Sequence, residues 1–155
     1  MQLEMNKQFK EEQKYTQFWF WSILLGLYLL PVLIYINKGV EDSLWSVVFI
    51  STILLFVLLI KLSTQIDASG IKMSFFPLLK KSIAWNEIKS VQVIDYGFVG
   101  GWGIRFYTDY GTVYNIRGRI GLWIELTNGK KFVIGTQKKE ELKTVLNNLG
   151  KISGK

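Results

Sequence analysis

The sequence has 155 residues, of which 49% are hydrophobic, and contains neither Cys nor His. Lys and Arg outnumber Asp and Glu by 19 to 12, so the net charge is +7. A disulfide framework, a thiol nucleophile, a Cys/His metal site and a Ser-His-Asp triad are therefore excluded. We expect no metal and no cofactor.

The N-terminal part of the chain contains two uncharged hydrophobic runs. The first spans Phe18–Ile36 with 19 residues, and the second spans Leu44–Ile60 with 17 residues. At ~1.5 Å per helical residue each run reaches about 25–29 Å, which is close to the ~30 Å hydrocarbon core of a bilayer. Neither run has a polar face, and a chain this small cannot bury two such helices. We therefore predict a transmembrane hairpin with helices at 18–36 and 44–62.

Aromatic residues border both runs, as is typical of the headgroup level. They are Trp19, Trp21 and Tyr35 in the first run and Trp45 in the second. A cleaved signal peptide is the alternative for the first run, but the stretch is too long and lacks a small-x-small cleavage site.

The charges that flank the runs predict the orientation. The tail at 1–17 carries three Lys, Lys61 follows the second run, and the connection at 37–43 carries one Lys and two acidic residues. Because positive flanks are retained in the cytoplasm, both termini are expected there. The sequence thus predicts a multi-pass protein of the inner (cytoplasmic) membrane.

Residues 63–155 are predicted to form one cytoplasmic domain that is rich in strands. Turn residues separate short runs with strand character, and Asn128-Gly129 is the strongest hairpin signal among them. The runs lie at 63–67, 71–76, 82–85, 91–96, 103–108, 112–116, 122–127 and 131–134. An apolar stripe of Leu142, Val145, Leu146 and Leu149 then predicts a helix, with Thr136 as its cap. The expected fold class is α+β, with about seven antiparallel strands closed by a C-terminal helix.

Three segments of this domain resemble the bacterial pleckstrin-homology-like domains of small membrane proteins. They are Ile83-Ala84-Trp85-Asn86-Glu87-Ile88, Gly100-Gly101-Trp102-Gly103-Ile104-Arg105, and Glu125–Lys131 followed by Ile134-Gly135-Thr136 and the helix. The resemblance covers nearly all of 64–149. It implies a barrel or sandwich of seven antiparallel strands in two sheets capped by a C-terminal helix, and it implies little about function.

Basic side chains form the first candidate site of the domain. Arg105, Arg117 and Arg119, with Lys80 and Lys81, have the chemistry to bind an anionic lipid headgroup or a phosphate. The alternatives are a general basic face near an anionic leaflet and buried pairing with Asp95, Asp109 or Glu125.

A glycine-rich stretch is the second candidate. Phe98, Gly100, Gly101, Trp102 and Gly103 fit neither a P-loop nor a dinucleotide fingerprint. They indicate a strand connection, or a loop that contacts a ligand, the bilayer or a partner.

Basic and aromatic residues also interleave at 105–107 and 114–117, but membrane attachment argues against nucleic acid. No acidic residues are arranged for catalysis. The sequence therefore predicts a non-enzymatic, membrane-anchored interaction module that binds a protein partner or the membrane surface. The alternatives are a sensor of an anionic lipid or small molecule and a structural subunit of a larger membrane complex, and the oligomeric state stays open.

Overall fold

A computed structural model describes residues 8–38 and 41–151 of the chain, without the side chains of 41–43. The described residues form an α+β protein with two sheets. In chain order the elements are β1 Phe9–Lys14, α1 Phe18–Lys38, α2 Glu41–Leu59, β2 Lys61–Asp67, β3 Gly70–Phe76, β4 Leu79–Ala84, β5 Ile88–Asp95, β6 Gly103–Thr108, β7 Gly111–Asn115, β8 Ile120–Leu126, β9 Lys131–Gly135 and α3 Lys139–Asn148. A 3-10 turn at Trp85–Glu87 lies between β4 and β5.

The chain divides into two units. Among the described residues, those at 14–38 and 41–60 form a helix unit, and those at 8–13 and 61–151 form a β unit. The helix unit is therefore an insertion between β1 and β2 of the β unit.

In the helix unit, α1 and α2 contact each other. Helix α1 has no buried residue and contains Pro31. Three hydroxyl groups donate to the carbonyl oxygen four residues earlier, Ser22 to Phe18, Ser51 to Val47 and Thr52 to Val48, at 3.0, 2.7 and 2.9 Å. These three hydroxyl groups thus satisfy their hydrogen bonds within their own helices.

The two helices differ in how well their length and hydropathy meet the requirements of a membrane span. Among the described helices, only α1 is long and apolar enough to cross a bilayer, with a mean hydropathy of 2.0 over its best window. The apolar part of α2, Leu44–Leu59, is shorter. A core helix or a signal sequence passes the same test of length, but α1 is not a core helix because its residues are exposed. The predicted boundary at residue 62 is wrong, since Lys61 and Leu62 belong to β2 and Leu62 is fully buried.

The first sheet of the β unit has the strand order β1-β2-β3-β4. Strands β2 and β3 are antiparallel, with Asp67 opposite Gly70, as the predicted hairpin requires. Strands β3 and β4 are also antiparallel, and Lys80 pairs with Ser74.

Strand β1 was not predicted, because residues 1–17 were interpreted as a tail. Its inward positions are Phe9, Glu11 and Gln13, of which only the first is apolar. The Glu11 carboxylate accepts hydrogen bonds from Thr136 Oγ1 at 2.6 Å and from the Gln137 backbone N–H at 2.7 Å. Gln13 Nε2 donates to the carbonyl oxygen of Gly135 at 2.8 Å. These bonds satisfy the Glu11 carboxylate and Gln13 Nε2, whereas Gln13 Oε1 is buried without a hydrogen-bond partner.

The second sheet has the order β5-β8-β9-β7-β6. Strands β8 and β9 form the antiparallel hairpin predicted from Asn128-Gly129, and β6 and β7 form another. However, β7 and β9 are parallel, with Val113 opposite Val133. The expectation of about seven strands, all antiparallel, is therefore wrong for the described chain, which has nine strands and one parallel pair, and the sheets do not close into a barrel.

Both sheets and α3 contribute side chains to the buried core. The largest fully buried side chains are Phe9, Leu62, Ile66, Ile71, Met73, Phe75, Ile116, Leu122, Ile124, Ile134, Leu142 and Leu146. The predicted stripe of the C-terminal helix is confirmed at Leu142, Val145 and Leu146. The helix begins later than expected, so Thr136 lies before its first turn and accepts from the Lys138 backbone N–H at 3.0 Å.

Candidate functional site: a lysine-rich cleft

One cleft of the β unit has a volume of about 870 Å³ and is lined by residues of both sheets. Strand β4 supplies Lys80 and Lys81. The β8–β9 hairpin supplies Lys130 and Lys131. The hairpin positions both lysines directly after its turn, where the Lys130 backbone N–H donates to Asn128 Oδ1 at 3.1 Å. We refer to these four residues as the cleft lysines.

The side chain of Lys81 spans the two sheets at this cleft. Its Nζ lies 4.8 Å from the ring centre of Tyr114 and 4.7 Å from that of Phe132. Both rings are buried and meet edge to face at 6.2 Å. A cation over aromatic faces is attracted by their electron density, which favours this position of the Lys81 ammonium group.

The charged side chains among the described residues that line the cleft are all positive. No Asp or Glu is among the described residues that line it. Within the described part of the chain, none of the cleft lysines forms an ion pair. The other cations of the β unit often do pair, Lys61 with Glu12, Lys72 with Asp67, Lys89 with Glu125, Lys138 with Glu141 and Arg119 with Asp95.

Exposed aromatic side chains form one wall of the cleft. Phe106 is 63% exposed and Tyr107 is fully exposed. Tyr107 has a φ of 58°, which is unusual for a residue other than glycine, and the register of β6 and β7 shifts between Arg105 and Thr108. This irregularity turns consecutive aromatic side chains outward. A second cleft of about 410 Å³ adjoins the same two rings and also contains Phe98.

The structure divides the basic cluster that the sequence predicted. Lys80 and Lys81 line the cleft, whereas Arg105, Arg117 and Arg119 do not. Arg105 is half-buried on β6, and its guanidinium group lies against Gly101. Arg117 is exposed just beyond β7.

Arg119 belongs to a separate ion pair. Its Nε donates to both carboxylate oxygens of Asp95 at 2.9 Å. This hydrogen bonding lowers the pKa of Asp95 and raises the pKa of Arg119. Of the predicted pairings with Asp95, Asp109 or Glu125, the structure thus contains an Arg pair with Asp95, and it is exposed rather than buried.

The glycine-rich stretch connects β5 and β6, which are the two edge strands of the second sheet. Gly97, Gly100, Gly101 and Gly103 all have positive φ values, so the loop uses backbone conformations that favour glycine. Within it Phe98 is 81% exposed and Trp102 is 37% exposed.

Sequence reasoning missed Lys130, Lys131, Phe106 and Tyr107 as members of the site. The hairpin signal at Asn128-Gly129 fixes where the two lysines follow the turn, but no local pattern indicates that β4 lies across from them. Among the described residues there is no group of three or more Asp and Glu that could hold a metal ion.

Comparison of the chain with known proteins gives no match to a family model, a curated protein or a solved structure. The resemblance to pleckstrin-homology-like domains therefore stays a prediction.

Proposed function

We propose that this protein is a membrane-anchored, non-enzymatic binding module. Helices α1 and α2 cross the inner membrane as a hairpin, and the β unit binds a protein partner at the cytoplasmic surface. The observation that carries the proposal is the insertion of two apolar helices between two hydrogen-bonded neighbouring strands, β1 and β2.

The position of this insertion favours an even number of membrane crossings. The chain leaves the β unit at Lys14 and returns at Lys61, and the strands that contain these residues are neighbours in one sheet. Both ends of the helix unit must therefore lie on the same side of a membrane. Two helices that each cross once meet this requirement, whereas a single crossing does not.

The surface of the helices supports lipid as their solvent. Apolar side chains are exposed around both helices, among them Leu30 at 61% and Phe49 at 67%. The apolar part of α2 has 16 residues, which reach about 24 Å at 1.5 Å per residue. A span this short is accommodated by local thinning of the bilayer at a modest cost.

The charges of the chain support the cytoplasmic side for the β unit. Residues 63–155 contain 14 Lys and Arg against 7 Asp and Glu. Retention of basic flanks in the cytoplasm favours this orientation. An anionic inner leaflet also attracts such a domain.

Exposed aromatic residues provide a surface suited to a protein partner. Phe98, Phe106 and Tyr107 adjoin one cleft and are all strongly exposed. Aromatic residues are enriched at the centres of protein interfaces. The two sheets and the C-terminal helix support the resemblance to pleckstrin-homology-like modules, although the parallel pair of β7 and β9 departs from the implied antiparallel pattern.

Purification of the full chain from native membranes in mild detergent tests this function. We expect one protein to copurify in a fixed ratio with the unmodified chain and to be lost from a Phe98→Ser/Tyr107→Ser variant. A Lys139→Ser/Lys143→Ser variant, altered on α3, serves as the control and should retain the partner. Release of the chain from membranes by alkaline carbonate would contradict the anchor, and equal retention by both variants would contradict the aromatic surface.

A further inference from the structure

The cleft lysines present four positive charges on one concave surface without a carboxylate among its lining residues. Like charges that share such a surface repel one another, and an anion placed between them relieves the repulsion. Lysine is a common phosphate ligand in proteins because its ammonium group is a compact charge with three hydrogen-bond donors.

Several cations of the β unit have carboxylate partners, whereas the cleft lysines have none among the described residues. Elsewhere in the β unit five cations have carboxylate partners at 2.9–3.6 Å. All five of these pairs lie outside the cleft, and the four lysines that line the cleft have no carboxylate partner among the described residues. This distribution favours a ligand that supplies the missing negative charge.

The cleft is also held in shape by the backbone. Gly111 begins β7, and a Cβ at this position would lie 2.1 Å from the carbonyl oxygen of Lys131. Only glycine allows this approach, which fixes the β6–β7 turn against the start of β9. Together with the Lys81 ammonium group over its two rings, this contact restricts the backbone and one of the four lysines that line the cleft.

The volume of the cleft and its aromatic wall suit a ligand that carries more than one phosphate group and an uncharged part. A volume of about 870 Å³ lies within the range of roughly 300–1,000 Å³ that is typical of small-molecule sites. Phe106 and Tyr107 add exposed aromatic faces beside the lysines, which suit a ring or an acyl chain attached to the charged group.

We propose that the cleft lysines bind the phosphate groups of a multiply charged phosphate compound, and that Phe106 and Tyr107 contact its uncharged part. The inference deepens the proposed function, since it assigns a ligand to the same β unit. An anionic phospholipid and a soluble phosphate compound share this chemistry, and two arms of one experiment distinguish these sources.

The experiment uses the full chain in detergent micelles. In the first arm, calorimetric titration with inorganic tripolyphosphate measures affinity for a soluble phosphate. In the second arm, native mass spectrometry after incubation with equal amounts of phosphatidylglycerol and phosphatidylcholine measures retained lipid. A Lys80→Gln/Lys130→Gln variant removes two cleft charges, and Lys139→Gln/Lys143→Gln removes two charges from α3 as the matched control.

We expect saturable binding in at least one arm, weakened roughly tenfold or more in the cleft variant, because each such cation contributes about 1 kcal/mol. The α3 variant should change affinity less than twofold. Tripolyphosphate binding identifies a soluble ligand, and selective retention of phosphatidylglycerol identifies a lipid headgroup. Lys80 and Lys130 are exposed, so the melting temperature should stay within a few degrees of the unmodified chain.

Two results would overturn the proposal. One is equal weakening by both double variants, with an effect that fades smoothly as salt increases, which is the behaviour of general surface charge. The other is the absence of saturable binding in both arms. Either result leaves the membrane anchor untouched, because resistance to alkaline carbonate does not depend on the cleft.

Discussion

The helix unit and the β unit differ in the exposure of the same types of apolar side chain. In the β unit Leu62 and Ile66 are completely buried, whereas in α1 no residue is buried and Leu30 is mostly exposed. Burial stabilises a protein by about 25 cal/mol per Å² of apolar surface. The β unit obtains this stabilisation from its own fold, whereas the helix unit leaves comparable apolar side chains exposed.

Polar groups differ between the two units as well. In the helix unit Ser22, Ser51 and Thr52 donate to carbonyl oxygens within about one helical turn. In the β unit the Glu11 carboxylate and Gln13 Nε2 form hydrogen bonds with residues more than 120 positions away. Local satisfaction is what a lipid environment demands, and long-range satisfaction ties the first strand to the last part of the β unit.

Replacement of residues 15–60 by a flexible linker of Gly and Ser has the largest expected effect. The change removes the exposed apolar helices and keeps β1 beside β2, so the product should be monodisperse in buffer without detergent. Size-exclusion chromatography with light scattering measures this. A fragment of residues 61–155 is the comparison and should unfold more easily, because it lacks the buried ring of Phe9, whose loss costs roughly 3–5 kcal/mol. If the full chain is itself monodisperse without detergent, this result would contradict the claim that the helix unit exposes apolar surface.

Glu11→Ala and Glu12→Ala form a matched pair of adjacent substitutions on β1. Glu11 is buried and accepts two hydrogen bonds, so its loss should cost about 1–3 kcal/mol. Glu12 forms an exposed pair with Lys61 at 3.2 Å, and such pairs contribute roughly 0–1 kcal/mol. Thermal melting in detergent distinguishes the two. Equal destabilisation would show that β1 is not attached through Glu11.

How much of the fold and of the cleft could be predicted from the sequence depends on whether the residues that specify each feature are close together in the sequence. The turns at Asp67–Gly70 and Asn128-Gly129 specify their hairpins because the turn residues adjoin both strands. Strand β1 gives no such signal, since two of its three inward residues are polar and their partners lie at 135–137. The cleft could not be predicted for the same reason. Lys81 and Lys131 line it together only because the two sheets pack against each other.

The smallest expected effect concerns the exposed pair of Asp95 and Arg119. Hydrogen bonding from Arg119 lowers the pKa of Asp95 in the folded protein. A lowered folded pKa means that the pair stabilises the protein above the unfolded pKa of Asp, near 3.8, and that this contribution is lost as the pH falls through the folded pKa. Asp95→Asn should therefore lower the melting temperature slightly at pH 7 and leave it unchanged in strong acid. A difference that persists at low pH would contradict the ion pair as its cause.

Site-specific labelling of introduced cysteines tests the central claim of a two-span insertion most directly. The natural chain has no Cys, so Asn37→Cys near the end of α1 and Ala68→Cys in the β2–β3 turn each introduce one thiol. In intact cells, a membrane-impermeant maleimide should label position 37 and should label position 68 only after permeabilisation. Labelling of both positions from the same side of an intact membrane would contradict the hairpin.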